Sequence, residues 1–208
     1  MRPLFIVIEG LDGSGKTTQI DLLKDRLQSQ GEACYLTAEP TELPTGKFCR
    51  SVLQKEVRVD QRTAAALFAA DRIEHIHHPE EGLLAKLAGG YHVISSRYYF
   101  SSIAYQGDEA DPAWIASLNL YAKRTLPADL TIFLDLDPAV SIERLGKRGD
   151  EPELYETREK LTQVRAAFHE AFEYFGQGER IVIVNASGNP QDVADQIWAA
   201  VEETVSLF

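Results

Sequence analysis

Short apolar runs alternate with longer amphipathic stretches along the whole chain. Helical periodicity covers the segments 16–30, 46–54, 61–78, 79–88, 100–105, 112–124, 138–147, 153–175 and 190–205. Between them, the runs 4–8, 33–37, 92–95, 130–134 and 180–184 are short and mostly apolar, as expected for strands buried on both faces. Strands that alternate with helices predict an α/β fold, with a parallel sheet covered by helices on both sides.

Start signals agree with several of these helices. Asp60, Asp111, Asp137 and Asn189 are candidate N-caps, and the last three directly precede a proline. We find no repeat, low-complexity tract or linker, and 208 residues is a usual length for one domain. The sequence therefore predicts a single domain over residues 1–208. The polar stretch 147–156, which is rich in both positive and negative side chains, is the segment expected to be mobile.

Composition narrows the class of protein. The chain is 44% hydrophobic and 25% charged, which is typical of a soluble globular protein, and we predict a cytoplasmic location without membrane attachment. Its net charge of −11 argues against charge-driven binding to nucleic acid or anionic lipid. Cys34 and Cys49 follow no metal-ligand or disulfide pattern, so we interpret both as buried or half-buried thiols. The histidines at 75, 77 and 78 do not share a helical face, and we assign them to a helix end rather than to a metal site.

A phosphate-binding loop follows the first apolar run. Residues 10–17 read GLDGSGKT and fit G-x4-G-K-[ST] between a strand and a helix. Backbone N–H groups and the helix N-terminus would bind phosphate oxygens, Lys16 would reach the terminal phosphates, and the Thr17 hydroxyl would bind Mg²⁺. The predicted ATP-binding residues are Gly10, Leu11, Asp12, Gly13, Ser14, Gly15, Lys16, Thr17 and Thr18.

The remaining sequence favours a small-molecule kinase. A regulatory GTPase would need an Asn-Lys-x-Asp segment, which is absent, and an ATP-driven motor is usually larger. Phe68 and Arg72 lie four residues apart on a predicted helix and could present a ring and a guanidinium to one ligand. The segment 95–106 begins at the carboxyl end of a strand, where open α/β sheets bind ligands. If helical, it would place Tyr98, Ser102 and Tyr105 on one side.

Taken together, these segments resemble bacterial and archaeal thymidylate kinases, which transfer phosphate from ATP to dTMP. The resemblance is carried by residues 9–18, 39–50, 67–72 (LFAADR) and 97–106 (RYYFSSIAYQ), in the family's order and spacing. It implies a P-loop fold with a short lid at about 147–156, Mg²⁺ as cofactor, ATP and dTMP as substrates, and a homodimer.

The resemblance also implies roles for single residues at the acceptor site. Phe68 would stack on thymine, Arg72 would hydrogen-bond the base, and Ser102 would face it. Arg50 and Arg97 would bind the acceptor phosphate. The remaining predicted acceptor residues are Glu39, Tyr98, Asp12 at the 3′-hydroxyl and Tyr105 at the 2′ position.

The lid would complete the donor site. Family members carry a basic residue either in the phosphate loop or in the lid, and Ser14 is uncharged here. An arginine from the lid is therefore expected to act with Lys16 and Arg97 in catalysis. Arg148 is the first candidate and Arg144 the second.

Two positions depart from the family pattern. Ser96 stands where the family commonly has aspartate, so Ser96 itself or the carboxylate of Glu9 would have to assist Thr17 with the metal. Ala38 stands where arginine is usual. These departures leave two alternatives open: a deoxynucleoside kinase with Glu39 as general base, and a nucleotide-binding protein whose transfer activity is lost or redirected.

Overall fold

The computed structural model of the protein describes residues 2–107, 110–146 and 157–207. Five strands in this part of the chain form one parallel sheet in the order β2-β3-β1-β4-β5. All five predicted strands are confirmed to within two residues at each end. Their bounds are β1 (Phe5–Gly10), β2 (Cys34–Ala38), β3 (His92–Ser96), β4 (Leu130–Asp135) and β5 (Ile181–Asn185).

Helices connect the strands. All four predicted N-caps are confirmed, because each side chain accepts a hydrogen bond from the backbone N–H two residues further on. The helices are α1 (Lys16–Ser29), α2 (Pro44–Leu53), α3 (Gln61–His77), α4 (Leu83–Ala88), α5 (Tyr99–Gln106), α6 (Pro112–Thr125), α7 (Pro138–Gly146), α8 (Arg158–Tyr174) and α9 (Pro190–Val205).

Two predicted helix starts need correction or lie outside the described part. The helix expected from residue 79 begins only at Leu83, because the N–H of Glu81 donates to Nδ1 of His78 (3.1 Å) and closes a turn first. Helix α8 is described from Arg158, with the Thr157 side chain as its cap. Residues 153–156 of that predicted helix, and the whole predicted lid, lie outside the described residues.

The sheet separates two apolar cores. Phe5 and Val7 of β1 pack on the side of α5 and α8, whereas Ile6 and Ile8 pack on the side of α1 and α9. This alternation follows from the two-residue period of a strand. Each such buried side chain contributes roughly 1.5–3 kcal/mol. The packing confirms the three-layer α/β/α fold.

The topology fixes where a ligand can bind. From β1 the chain crosses to β2 at one edge, and after β3 it passes to β4 on the other side of β1. The connections that follow β1 and its neighbour β3 therefore run in opposite directions along the sheet, which opens a crevice at the carboxyl ends of these two strands. The phosphate-binding motif begins at this point.

Both cysteines are free thiols, as predicted: Cys34 is half-buried and Cys49 is buried. No helix among the described residues has the length and apolar character needed to cross a membrane.

Candidate active site

The loop between β1 and α1 has the conformation that its glycines predict. Gly10 and Gly15 have φ angles of 152° and 94°, which residues with a side chain rarely adopt. A Cβ at Gly10 would also lie 2.7 Å from Oγ of Ser14. The loop delivers the chain into α1, whose first backbone N–H groups have no partner within the helix and are available to an anion.

Lys16 extends across this loop. Its Nζ donates to the carbonyl oxygens of Gly10 (3.0 Å) and Leu11 (2.8 Å) and lies 3.9 Å from the Asp12 carboxylate. Thr17 and Thr18, the next residues of α1, are exposed. The cation and the exposed hydroxyls therefore lie together at the end of the helix that binds phosphate in this motif.

One cavity, of about 370 Å³, opens on the α9 side of the loop. It is lined by Gly13, Ser14 and Gly15 from the motif, by Thr18 of α1, and by Ala186, Gly188 and Pro190 around the start of α9. Arg144 of α7 also lines it, and its guanidinium donates to the carbonyl oxygens of Gly13 (3.3 Å) and Ala186 (3.4 Å). Arg148, the first lid candidate, lies outside the described residues.

A second cavity, of about 190 Å³, lies on the opposite side of Asp12. Two aromatic side chains, three guanidinium groups and two carboxylates meet in it. It brings together eight of the nine predicted acceptor residues: Asp12, Glu39, Arg50, Phe68, Arg72, Arg97, Ser102 and Tyr105.

Tyr98, the ninth predicted residue, does not line this cavity. It precedes α5 with an extended backbone, so the helical spacing that would align it with Ser102 and Tyr105 does not include it. Its ring packs edge-on against Phe5 (5.1 Å between centroids), and its hydroxyl donates to the carbonyl of Leu126. Tyr98 supports the site from the core.

Arg97 joins the loop to the second cavity. Its Nη2 donates to the Asp12 carboxylate (2.5 Å) and to the Tyr105 hydroxyl (3.2 Å), and its guanidinium lies 4.7 Å from the centre of the Tyr105 ring. Burial alone would raise the pKa of Asp12, but the Arg97 and Lys16 cations outweigh it and lower that pKa to about 2. Asp12 is therefore an anion at any physiological pH.

Arg72 occupies the floor of the same cavity and is 1% exposed. It donates through Nε to Glu39 (2.8 Å), through Nη1 to Ser102 (3.1 Å) and the Asn119 side chain, and through Nη2 to the Tyr98 carbonyl (3.0 Å). Four protein partners thus hold this guanidinium in one orientation at the cavity wall.

Replacing Arg72 with methionine should lower the free energy of unfolding by about 3 kcal/mol, because the Glu39 carboxylate would stay buried without its cation. Urea unfolding followed by circular dichroism measures this. Arg62→Met is the matched control, since Arg62 lies on the same helix with a side chain that is 69% exposed and paired with Asp60 at the surface. Equal stability of the two variants would contradict this structural role.

Glu39 is held from two sides. One oxygen accepts from Arg72, and the other lies 3.0 Å from Nδ1 of His75, whose Nε2 is 2.8 Å from the Thr37 hydroxyl. The interpretation of the histidines as a helix end is confirmed, since His75 and His77 lie in the last turn of α3 and His78 follows as its C-cap. His75 is in addition buried and, through Glu39, tied to the second cavity. No group of three or more potential metal-ligating side chains occurs in the described ranges.

Arg50 lies at the mouth of the cavity. It donates to the carbonyl oxygens of Pro40 (2.7 Å) and Thr41 (2.7 Å) and contacts the Glu42 carboxylate. Ser96 is the last residue of β3 and is half-buried. It pairs with Ile8 of β1, the strand that leads into the phosphate loop.

Sequence reasoning missed Gln106. It lines the second cavity, is 3% exposed, and its Oε1 has no hydrogen-bond partner among the described residues. A buried, unpaired amide oxygen is costly unless a ligand or water satisfies it. The available signal was its spacing, since Gln106 follows Ser102 by one helical turn.

Comparison with known proteins identifies the family of this chain. The sequence model of the family described as thymidylate kinase matches residues 8–197. A probable thymidylate kinase of Pyrococcus horikoshii is 38% identical over 208 residues, which cover 97% of this chain and 97% of the relative. A thymidylate kinase of Leptospira borgpetersenii is 36% identical over 169 residues (81% of this chain, 80% of the relative), and one of Synechococcus sp. is 35% identical over 212 residues (98% and 97%). The phosphate loop, the two cavities beside it and these matches lead to one conclusion: this chain belongs to the thymidylate kinase family of nucleoside monophosphate kinases.

Proposed function

We propose that this chain transfers the γ-phosphoryl group of ATP to the 5′-phosphate of dTMP and yields dTDP and ADP. The observation that carries the proposal is the pair of cavities on either side of the phosphate loop. The larger one adjoins the motif glycines and suits ATP. The smaller one presents an aromatic ring, guanidinium groups and an amide oxygen, and suits a nucleoside monophosphate. We call it the acceptor cavity.

The acceptor needs no general base in this reaction. A phosphate monoester is already an anion at neutral pH, so its oxygen attacks the γ-phosphorus directly while the bond to the β-phosphate oxygen breaks. The work of the protein is to align two polyanions and offset their repulsion. Lys16, with Arg144 or Arg148, would stabilise the migrating group, while Arg97 and Arg50 would fix the acceptor phosphate.

Contacts to the nucleoside follow from the lining of the smaller cavity. Phe68 is 9% exposed on this wall and would stack on the base. The unpaired oxygen of Gln106 would accept the N–H of thymine, while Arg72 and Ser102 would contact its carbonyl edge. Asp12 would accept the 3′-hydroxyl, and Tyr105 would occupy the space that a 2′-hydroxyl requires.

Mg²⁺ fits the phosphate loop. This ion usually keeps several waters and takes one or two protein oxygens together with substrate phosphates, so the exposed Thr17 hydroxyl at the start of α1 is a sufficient protein ligand. When bound, the ion would neutralise charge on the β- and γ-phosphates. Ser96 at the end of β3 would hold a water of its coordination shell.

The nucleoside kinase alternative is less well supported. Its general base would be Glu39, yet both oxygens of that carboxylate already contact Arg72 and His75. Accepting a proton from a sugar hydroxyl would replace one of these buried contacts. The second alternative, nucleotide binding without transfer, rests on Ser96 and Ala38 alone.

The test is ADP release by purified protein with Mg-ATP and, separately, dTMP, dUMP, ribo-TMP or thymidine. We expect turnover with dTMP, with kcat/KM at least tenfold higher than for ribo-TMP because of Tyr105, and none in excess EDTA. Turnover with thymidine but not dTMP would instead establish the nucleoside kinase. Nucleotide binding without any turnover would establish the second alternative.

We also propose a homodimer and a cytoplasmic location, the usual state of the family. A candidate dimer surface lies on the two packed helices α3 and α6, which expose the hydrophobic side chains of Ile73, Trp114 and Tyr121. The two helices are also joined by a hydrogen bond between the Tyr121 hydroxyl and Nε2 of His77 (2.8 Å). Light scattering of the same preparation should give twice the chain mass of 23.2 kDa. A monomeric mass would rule the dimer out.

A further inference from the structure

Glu9, which we considered only as a metal ligand, has a different set of neighbours. It is fully buried near the carboxyl end of β1. One carboxylate oxygen accepts the backbone N–H groups of Tyr98 (2.9 Å) and Ser101 (3.2 Å), and the other accepts the Ser101 hydroxyl (2.6 Å). Both oxygens are therefore occupied by protein donors, all from the segment that carries Arg97.

These contacts replace a missing helix cap. Tyr98 is the N-cap residue of α5 and provides no side-chain hydrogen bond to the first turn. The N–H groups at a helix start have no partner within the helix and need an outside acceptor. Glu9 supplies that acceptor from a different element, 89 residues earlier in the chain.

The turn that is fixed in this way is a strained one. Arg97 has a φ of 72°, in the left-handed region that a residue with a long side chain rarely occupies and that costs about 1 kcal/mol or more. Its own N–H donates to the Ile8 carbonyl (3.0 Å), and the next N–H, of Tyr98, donates to Glu9. Two consecutive residues of β1 thus hold the peptide groups on both sides of Arg97.

A second connection reaches the guanidinium itself. Nη1 of Arg97 donates to Oγ of Ser101 (3.1 Å), and that hydroxyl donates its own proton to Glu9. Because the Ser101 hydroxyl donates its hydrogen bond to the carboxylate, the lone pairs of its oxygen are free to accept from Arg97. The direction of the guanidinium therefore depends on Glu9 through one intermediate.

We propose that Glu9 is a positioning residue for the acceptor phosphate: it holds Arg97 in its left-handed conformation and, through Ser101, directs the guanidinium into the acceptor cavity. The inference rests on the proposed function, in which Arg97 binds that phosphate.

The choice of a carboxylate supports a functional role. An ionised group without water around it is expensive to bury, and an apolar side chain would fill the same space at lower cost. Burial raises the pKa of Glu9, against the opposing effect of its hydrogen bonds and of Arg97. The benefit must therefore lie in what the carboxylate holds in place.

The test compares Glu9→Gln with wild-type protein. The amide keeps the shape and one acceptor oxygen, so the fold should persist. The melting temperature should be no more than about 3 °C below that of wild-type protein, and it could exceed it. Since the amide cannot serve all three donors, we expect the KM for dTMP to rise about tenfold, with the KM for ATP unchanged within twofold. Ser101→Ala should have a similar effect, and the double variant should lose little more than either alone, because the two residues act in one chain of contacts.

Asp129→Asn is the matched control. Asp129 accepts the backbone N–H of Phe5 (2.8 Å) at the other end of the same strand, far from the cavities, so its substitution should leave both KM values unchanged. The NMR signals of the arginine Nη groups give a readout without any nucleotide. In wild-type protein the Arg97 guanidinium should rotate slowly, and in Glu9→Gln it should rotate measurably faster, because the contact through Ser101 is weakened while those to Asp12 and Tyr105 remain.

An unchanged Arg97 signal together with an unchanged KM for dTMP would overturn the inference. So would an equal rise of both KM values with a large fall in melting temperature, since that pattern indicates a general effect on folding. If wild-type protein does not phosphorylate dTMP, the proposed function fails, while the Arg97 signals still show whether Glu9 positions this side chain.

Discussion

Replacing Lys16 with methionine should lower kcat about 1,000-fold and change the KM for ATP by a much smaller factor. Methionine keeps most of the apolar stem and removes the charge. Lys16 is the cation of the loop itself, with its Nζ at 2.8–3.0 Å from two loop carbonyl oxygens. In phosphoryl transfer such a cation stabilises charge that develops on the migrating group, so its loss is felt mainly in the transition state.

Single-turnover kinetics with saturating Mg-ATP and dTMP isolates this step from product release. Lys24→Met is the control, because Lys24 lies on the same helix and pairs with Asp21 and Asp25 at the surface, away from the loop. It should retain wild-type kcat. A rise in the KM for ATP without any fall in kcat in Lys16→Met would show that Lys16 binds nucleotide without contributing to the chemical step.

Replacing Arg97 with alanine should lower kcat/KM for dTMP by 100- to 1,000-fold, or about 2.7–4 kcal/mol of transition-state stabilisation. The guanidinium is the only group in the described part of the chain that links Asp12, Ser101 and Tyr105, and it lies on the wall of the acceptor cavity. Its removal would take away the proposed ligand of the acceptor phosphate. It would also leave the Asp12 carboxylate facing an incoming anion with Lys16 (3.9 Å) as its remaining cation among the described residues.

Initial rates at varied dTMP and fixed Mg-ATP give this value. Arg26→Ala, which removes a surface ion pair to Asp195 (2.7 Å), should change kcat/KM by less than twofold. Arg97→Lys should recover only part of the loss, because an ammonium cannot donate to two partners in the fixed geometry of a guanidinium. Wild-type kinetics in Arg97→Ala would remove this residue from the acceptor site.

Local features of the fold could be predicted because they depend on neighbours within a turn or two. The glycines of the loop at 10–17, the alternation along β1 and the caps at Asp60, Asp111, Asp137 and Asn189 all act over a few residues. Helix periodicity likewise placed Phe68 and Arg72 on one wall. The start of α4 was the exception, because the His78 side chain competes locally with the helix.

Partners across the sheet could not be predicted from spacing. Tyr98 points into the core because Arg97, with its left-handed backbone, breaks the chain direction between the end of β3 and the start of α5. Asn119 meets Arg72 only because α3 packs against α5 and α6, and His75 meets Glu39 only because α3 passes the end of β2, where His75 also contacts Thr37. Such contacts depend on which buried donors and acceptors the packing leaves to satisfy one another.

The sequence by itself determined the phosphate loop, the strand-helix alternation and the family, since each is written in contiguous residues. Only the tertiary structure decided how the acceptor side is assembled. Glu9 reaches Tyr98 across 89 positions, and Arg72 reaches Glu39 across 33. A buried charge must find its partners wherever the fold brings them, and that pairing is a property of the packed chain rather than of any segment.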